Sequence, residues 1–219
     1  MIKNKENNIR AIVWDIGGVL SLAKNKRIRN KKNLVNSITG LWVLIKEFDT
    51  QNESLLKKFK SIYYKSSRGK ISKEETLKAL SKIFKNLKEK EIKKIITDTY
   101  KNNSVENKEI IKFISKLKNK GYKQGILSNQ WCLSKDIAIS KKNLKLFSQS
   151  VISFIDKEIK PDKKAFQLIL DKMYVSSNQV IFIDDLKTNI DAAKKLGIHT
   201  ILFKNNTQLK KDLAKFGVK

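Results

Sequence analysis

The chain opens on polar residues and then turns abruptly apolar: Ala11-Ile12-Val13-Trp14 form a short unbroken run that stops at Asp15-Ile16-Gly17-Gly18. An apolar run of this length, ended by an acid and two glycines, predicts a strand buried on both faces and closed by a turn. Beyond it the period changes. From about Ser21 to Asn107 the apolar residues recur three and four apart: Leu34, Ile38, Leu41, Ile45 and Phe48; Leu55, Phe59 and Ile62; Leu77, Leu80, Phe84 and Leu87; Ile92, Ile95, Ile96 and Tyr100. This spacing predicts a block of about four amphipathic helices. Within it, Ser72 followed three residues on by Glu75 has the form of a capping box, which places a helix start just after Gly69 and Ile71.

After Asn107 the pattern alternates. A helical face (Ile110, Ile111, Ile114, Leu117) leads to a strand from Tyr122 to Leu127, a second strand from Val151 to Phe154, and a helix carrying Phe166, Ile169, Leu170 and Met173. A strand over Val180 to Ile183, a helix through Ile190, Ala193 and Leu196, a strand from His199 to Phe203 and a last helix with Leu209, Leu213 and Phe216 complete the chain. Strands that alternate with helices and are buried on both faces imply a parallel sheet, so the predicted fold class is α/β. The helical block is then an insertion after the first strand. The expected division is a core domain of residues 1–20 and 107–219 and an all-helical domain of residues 21–106.

Composition narrows the function classes. The 219 residues hold no apolar run near the ~18 residues that cross a bilayer, and MIKNKENNIR lacks a signal-peptide core, so the expectation is a cytoplasmic protein with no membrane partner. A single cysteine, Cys132, and a single histidine, His199, exclude thiolate metal cages and Ser-His or Cys-His catalysis. The formal charge of +27 would ordinarily point to a polyanion. However, only Arg10, Arg27, Arg29 and Arg68 among the 48 basic residues are arginine, the side chain whose planar fork best reads phosphates and bases. The excess is lysine, accompanied by many isoleucines and asparagines, a combination typical of A/T-rich coding. The charge therefore reads as background on solvated faces, and a nucleic-acid partner is not expected.

Ligands of open parallel sheets bind at the carboxyl ends of the strands. There the sequence places Asp15 and Gly17-Gly18, then Ser128-Asn129, then Asp184-Asp185, with Lys160 just before the only proline, Pro161. Three carboxylates, a hydroxyl, an amide and an ammonium form a coherent set. A strand-tip carboxylate can attack a phosphate only if the negative charges are neutralised. The acidic pair and a loop carbonyl are hard oxygen ligands of the kind Mg²⁺ takes, Lys160 adds a positive charge, and Ser128 with the backbone N–H groups near Asn129 can donate to phosphate oxygens. Such a site suits phosphoryl transfer onto an aspartate.

These motifs, in this order, resemble the haloacid dehalogenase-like hydrolases over almost the whole chain. WDIGGVL resembles the first motif of that superfamily, GILSNQ the second, Lys160-Pro161-Asp162 the third and VIFIDDLKTNIDAAKKLGI the fourth. The helical block resembles the cap that one subfamily inserts after the first motif, with RGKISKEE as a turn inside it. The resemblance implies a Rossmann-like three-layer core and a Mg²⁺-dependent phosphatase of small phosphorylated metabolites, acting through an aspartyl-phosphate. It also implies that Asp15 is the nucleophile and a metal ligand, that the Gly17 carbonyl and Asp185 ligate the metal, and that Asp184 helps through water or hydrogen bonding. Ser128, Asn129 and Lys160 would hold the phosphate, and Ser128 and Lys160 would also take part in the reaction.

One departure stands out: most phosphatases of the superfamily carry a second Asp two residues after the nucleophile, where this chain has Gly17. Loss of a positioned acid/base is worth roughly 10²–10⁴ in rate. The Asp-x-Gly-Gly variant therefore favours substrates whose leaving group is already acidic, such as an anomeric sugar 1-phosphate, or an acid supplied by the cap. Two alternatives remain, a dehalogenase of the same fold and a non-catalytic, polyanion-binding relative. Four residues carry structural readings alongside: Cys132 and His199 as packing residues, Trp131 as either a pocket wall or packing beneath the cap, and Asn189 as either an orienter of the acidic pair or an exposed helix position.

Overall fold

A computed structural model describes residues 8–24, 53–134 and 139–219. The apolar run becomes β1 (Ala11–Trp14), fully buried and central in a five-stranded sheet. Its partners are β4 (Lys123–Ser128), β5 (Gln149–Ile152), β6 (Val180–Asp184) and β7 (His199–Leu202), in the order β5-β4-β1-β6-β7 with every pair parallel. Between β1 and β4 the chain forms β2 (Ser21–Ala23), helices α1 (Glu53–Ser67), α2 (Lys73–Ile83) and α3 (Glu89–Asn103), β3 (Ser104–Glu106) and α4 (Lys108–Asn119). After β4 come α5 (Lys141–Leu144), α6 (Ser153–Asp156), α7 (Lys163–Met173), α8 (Lys187–Lys195) and α9 (Asn206–Lys215).

The period of two along β1 divides the core into layers. Ile12 and Trp14 face one side, with Ile110, Ile114 and Leu117 of α4 and Leu209 and Leu213 of α9. Ala11 and Val13 face the other, with Phe166 and Ile169 of α7 and Ile190 and Ala193 of α8. Gly125 in β4 lets α7 press close, since a Cβ there would sit 2.5 Å from the Met173 sulfur. The result is the expected three-layer α/β arrangement.

Helices α1 to α3 form their own core of Phe59, Leu80, Ile92 and Ile96. The expected capping box at Ser72 is present, with Glu75 N–H donating to Ser72 Oγ and Ser72 N–H to the Glu75 carboxylate. The first expected helical face, Leu34 to Phe48, lies outside the described residues. Three local expectations differ from the structure. The chain leaves and re-enters the core through β2 and β3, an antiparallel ribbon too short and too half-exposed to leave a hydrophobic signature. Helix α2 ends at Ile83, so Leu87 packs from a turn. β5 stops at Ile152 because Asp156 accepts the Ile152 N–H and closes a helical turn, α6, where strand was expected to continue. No helix among the described residues is long and apolar enough to cross a membrane.

Candidate active site

Sheet register brings the strand-tip residues together. Trp14 pairs with Ile126 on one side and Ile183 on the other. Asp15, the next residue, is therefore level with Leu127 and Asp184, and its N–H donates to Ile183 O at 2.9 Å. Lys160 arrives from the loop before α7. Its ammonium, almost fully buried, lies 2.8 Å from Asp15 Oδ1 and 2.7 Å from Asp184 Oδ2, bridging two carboxylates that are themselves buried. Ser128, the buried last residue of β4, stands at the strand tip beside Asp15, where its hydroxyl favours the ionised carboxylate.

The acidic pair is not symmetrical. Asp184 is fully committed: Oδ1 accepts the Leu186 N–H, and Oδ2 accepts from Lys160 Nζ and, at 3.0 Å, from Asn189 Nδ2. Asn189 is buried, so of its two readings the structure takes the orienting one. Neither oxygen of Asp185 finds a hydrogen-bond partner, although both are buried. Nor does Asp185 cap the following helix, whose N-cap is Leu186. Asp15, Asp184 and Asp185 each bring a carboxylate oxygen within 4.8 Å of the others.

Three carboxylates against one lysine leave excess negative charge in a buried space. Burial, reinforced by the charges of Asp15 and Asp184 and only partly offset by Lys160, pushes the Asp185 carboxyl up to about 8. Burial also raises Asp15 to about 6, Lys160 opposing the shift and Asp184 adding to it. The contacts with Asp15 and Asp184 outweigh burial for Lys160 and raise its ammonium above the ordinary lysine value. A cluster of hard oxygens with unbalanced negative charge and one carboxylate lacking a donor fits a divalent cation bound by oxygen.

Two contributions were not foreseen. Gly18 has φ +75°, and a Cβ on it would lie 2.0 Å from Asp185 Oδ2, so the second glycine of the pair makes room for the carboxylate. The doublet itself was visible, but only Gly17 suggested a role. The Asn129 side chain grips the backbone of Lys160, donating to its carbonyl at 2.8 Å and accepting its N–H at 2.9 Å. Gly17 follows Ile16 in the tight turn in which Gly18, Leu20 and Ser21 bond back into the loop. Trp131 is fully buried in the helical core, the packing reading of the two. Cys132 bonds Ser66 and Thr76 beside it, and His199 sits on the rim of the fold against Phe216 and Asn178 O.

Comparison with known proteins bears on this geometry. The sequence pattern of the haloacid dehalogenase-like hydrolases matches residues 43–203, well over half of the chain, beginning after β1. The chain is 36% identical over 88 residues to acyl-CoA dehydrogenase family member 10 of Mus musculus, covering 40% of this chain and 8% of that protein. It is 26% identical over 114 residues to bifunctional epoxide hydrolase 2 of Mus musculus, covering 50% of this chain and 21% of that protein. The chain thus spans about a fifth or less of these curated relatives. A HAD family enzyme from Bacteroides thetaiotaomicron superposes with a TM-score of 0.70 at 18% identity, over 92% of this chain and 98% of that one, which shows a shared fold. The same enzyme has been solved in complex with magnesium and inorganic phosphate.

Proposed function

The chain belongs to the haloacid dehalogenase-like hydrolases, and from that premise we propose that it is a Mg²⁺-dependent phosphomonoesterase of small phosphorylated metabolites, working through an aspartyl-phosphate on Asp15. The observation that carries this reading is the Asp185 carboxylate, buried with neither oxygen partnered beside Asp15 and Asp184. A dehalogenase attacking carbon has no use for this third buried carboxyl, which a cation beside it would draw into its charged, ligating form. The magnesium and phosphate bound by the Bacteroides enzyme support the same class of ligand here.

Asp15, Asp185 and the Gly17 carbonyl would hold the metal, with Asp184 fixed behind them by Lys160, Asn189 and Leu186 N–H. Mg²⁺ there supplies positive charge against the phosphoryl oxygens. Lys160 orients Asp15 through its 2.8 Å contact and adds its own charge beside the incoming phosphate. Ser128 donates to the same anion, and Asn129 fixes the Lys160 backbone that aims the ammonium. An Asp15 oxygen then attacks phosphorus as the bond to the leaving oxygen breaks, and the departing alkoxide takes its proton from water. A second water attacks the phosphoryl group, returning the Asp15 carboxylate and releasing inorganic phosphate. In this reading the inserted helices α1 to α3 act as the cap and shield the intermediate from uncontrolled water.

Because Gly17 carries no side chain, no acid stands two residues beyond the nucleophile, and rates are expected to follow leaving-group acidity. A panel of phosphorylated metabolites and aryl phosphates of graded leaving-group pKa, with and without Mg²⁺ and with Asp15→Asn as blank, tests the proposal. Turnover that needs both Mg²⁺ and Asp15 supports it. Identical behaviour of wild type and Asp15→Asn on every compound ends it, and a flat dependence on leaving-group pKa removes the account of Gly17.

A further inference from the structure

The segment that continues from Ser128-Asn129 does not return directly to the core. It passes under the helical block and becomes part of that block's interior. Trp131 is completely buried there, edge-on to Phe59 at 6.4 Å between centroids and tilted against Tyr63 at 5.2 Å. Its indole N–H donates to the Tyr100 hydroxyl at 3.0 Å. Leu133 joins the same cluster, while the Cys132 N–H donates to Ser66 Oγ at 3.3 Å. A loop belonging to the core is thus packed and hydrogen-bonded as though it were an element of the inserted helices.

The other end of the segment leads to the reacting groups. Gln130 is held by Ser153, which accepts its N–H at 2.9 Å and donates to its carbonyl at 3.0 Å. Asn129 grips the Lys160 backbone, and Lys160 bridges Asp15 and Asp184. Four consecutive residues therefore run from a helix of the inserted block to the nucleophile's ammonium partner.

Resting on the phosphatase reading above, we propose that Trp131 and Tyr100 are positioning residues: the helical block, through their contact, sets the Ser128–Asn129 loop and hence Lys160 against Asp15. Neither side chain touches substrate. The consequence is that a perturbation confined to the block interior at this contact changes turnover at the sheet edge, whereas one elsewhere in the same cluster changes only stability. Contacts that hold reacting groups in place matter because a misplacement of ~1 Å can cost about 100-fold in rate.

The test compares Tyr100→Phe, Trp131→Phe and their double variant with Ile92→Val, a mild truncation in the same buried cluster. Steady-state kinetics on the best phosphate ester from the panel is paired with hydrogen exchange of the backbone amides from Ile126 to Ser134. For Tyr100→Phe, which strands a buried indole N–H, kcat is expected to fall about 10- to 100-fold with KM within about twofold, and exchange over that segment to rise. The double variant, which removes both partners, is expected to be no worse than the more affected single. Ile92→Val is expected to lower thermal stability and leave both readouts at wild type. Thermal melts confirm that each variant is folded; Tyr100→Phe keeps its ring, Trp131→Phe puts a smaller aromatic ring in place of the indole, and the latter reports on the contact independently of Tyr100→Phe. If both single variants match Ile92→Val in kcat and exchange, the two residues are packing only and the proposal is overturned. Exchange needs no turnover, so a protein inactive on every ester refutes the phosphatase reading while the exchange pattern still decides the coupling.

Discussion

Replacing Asp185 by asparagine removes a carboxyl that folding forces to keep its proton, while keeping the size and shape of the side chain. In the metal-free protein this change is expected to stabilise the fold. Burial and the neighbouring carboxylates hold the Asp185 carboxyl at about 8, against 3.8 for the ordinary side chain. At pH 7 the folded protein keeps that proton while the unfolded chain has lost it. The unfolded state then binds fewer protons, so stability falls as pH rises, by about 1.4 kcal/mol per unit between about pH 4 and pH 8. At pH 7 the penalty is on the order of 4 kcal/mol, and by pH 4 it has almost vanished.

Asp185→Asn has no such proton to hold. Urea unfolding in EDTA at half-unit steps from pH 4 to pH 8 should show the variant more stable by about 4 kcal/mol at pH 7, with the gain nearly gone at pH 4. In thermal melts of a 219-residue chain that is a rise of about 8–16 °C. Mg²⁺ should reverse the ranking, stabilising the wild type by mass action and the variant little. A variant no more stable than wild type in EDTA at pH 7, or a gain that does not change with pH, would refute the account of an uncompensated carboxylate.

Gly18→Ala should displace Asp185, since its Cβ would fall 2.0 Å from Oδ2 on a backbone at φ +75°, and Mg²⁺ titration should show weakened binding together with lost turnover. Gly121→Ala is the matched control: φ is +89° but nothing lies within 4 Å, so a stability loss of about 1 kcal/mol in urea with Mg²⁺ binding intact is expected. Lys160→Met removes the ammonium shared by Asp15 and Asp184, and unfolding at pH 7 should show a loss of about 3–5 kcal/mol that shrinks as the pH is lowered and the carboxylates protonate. Asp15→Asn should abolish phosphate release while retaining wild-type circular dichroism; measurable turnover by that variant would remove Asp15 from the chemistry.

The strands and long helices were legible because burial imposes a period. Ala11 to Trp14 is apolar throughout because β1 is covered on both faces, and the Ile110 to Leu117 face repeats because α4 has one covered side. β2 and β3 were not legible for the complementary reason. Three half-exposed residues each, paired only with one another, need no hydrophobic pattern, and their pairing of Ser21 with Glu106 is set by chain ends brought together from far apart. The end of β5 was missed because a side chain, Asp156, decides it by capturing the Ile152 N–H, an interaction that carries no periodic signal.

The site was legible as a set of residue types and much less so as a division of labour. Asp184 and Asp185 are the same residue twice, and only the donors around them separate the two: three converge on Asp184, none on Asp185. Lys160 poses the harder case. In a chain with 48 basic residues no lysine advertises itself. What distinguishes this one is desolvation, because among the described residues it is the buried lysine, whereas others, such as Lys24, Lys118 and Lys120, lie at the surface and donate to backbone carbonyls. A surface lysine adds to a field that salt screens within about 10 Å. A buried one held between two carboxylates acts in a medium that screens far less, so its charge is fixed in place and in strength. The large net charge of the chain and the single charge at the site are therefore different physical quantities. The first can draw anions toward the molecule, and the second alone can orient Asp15.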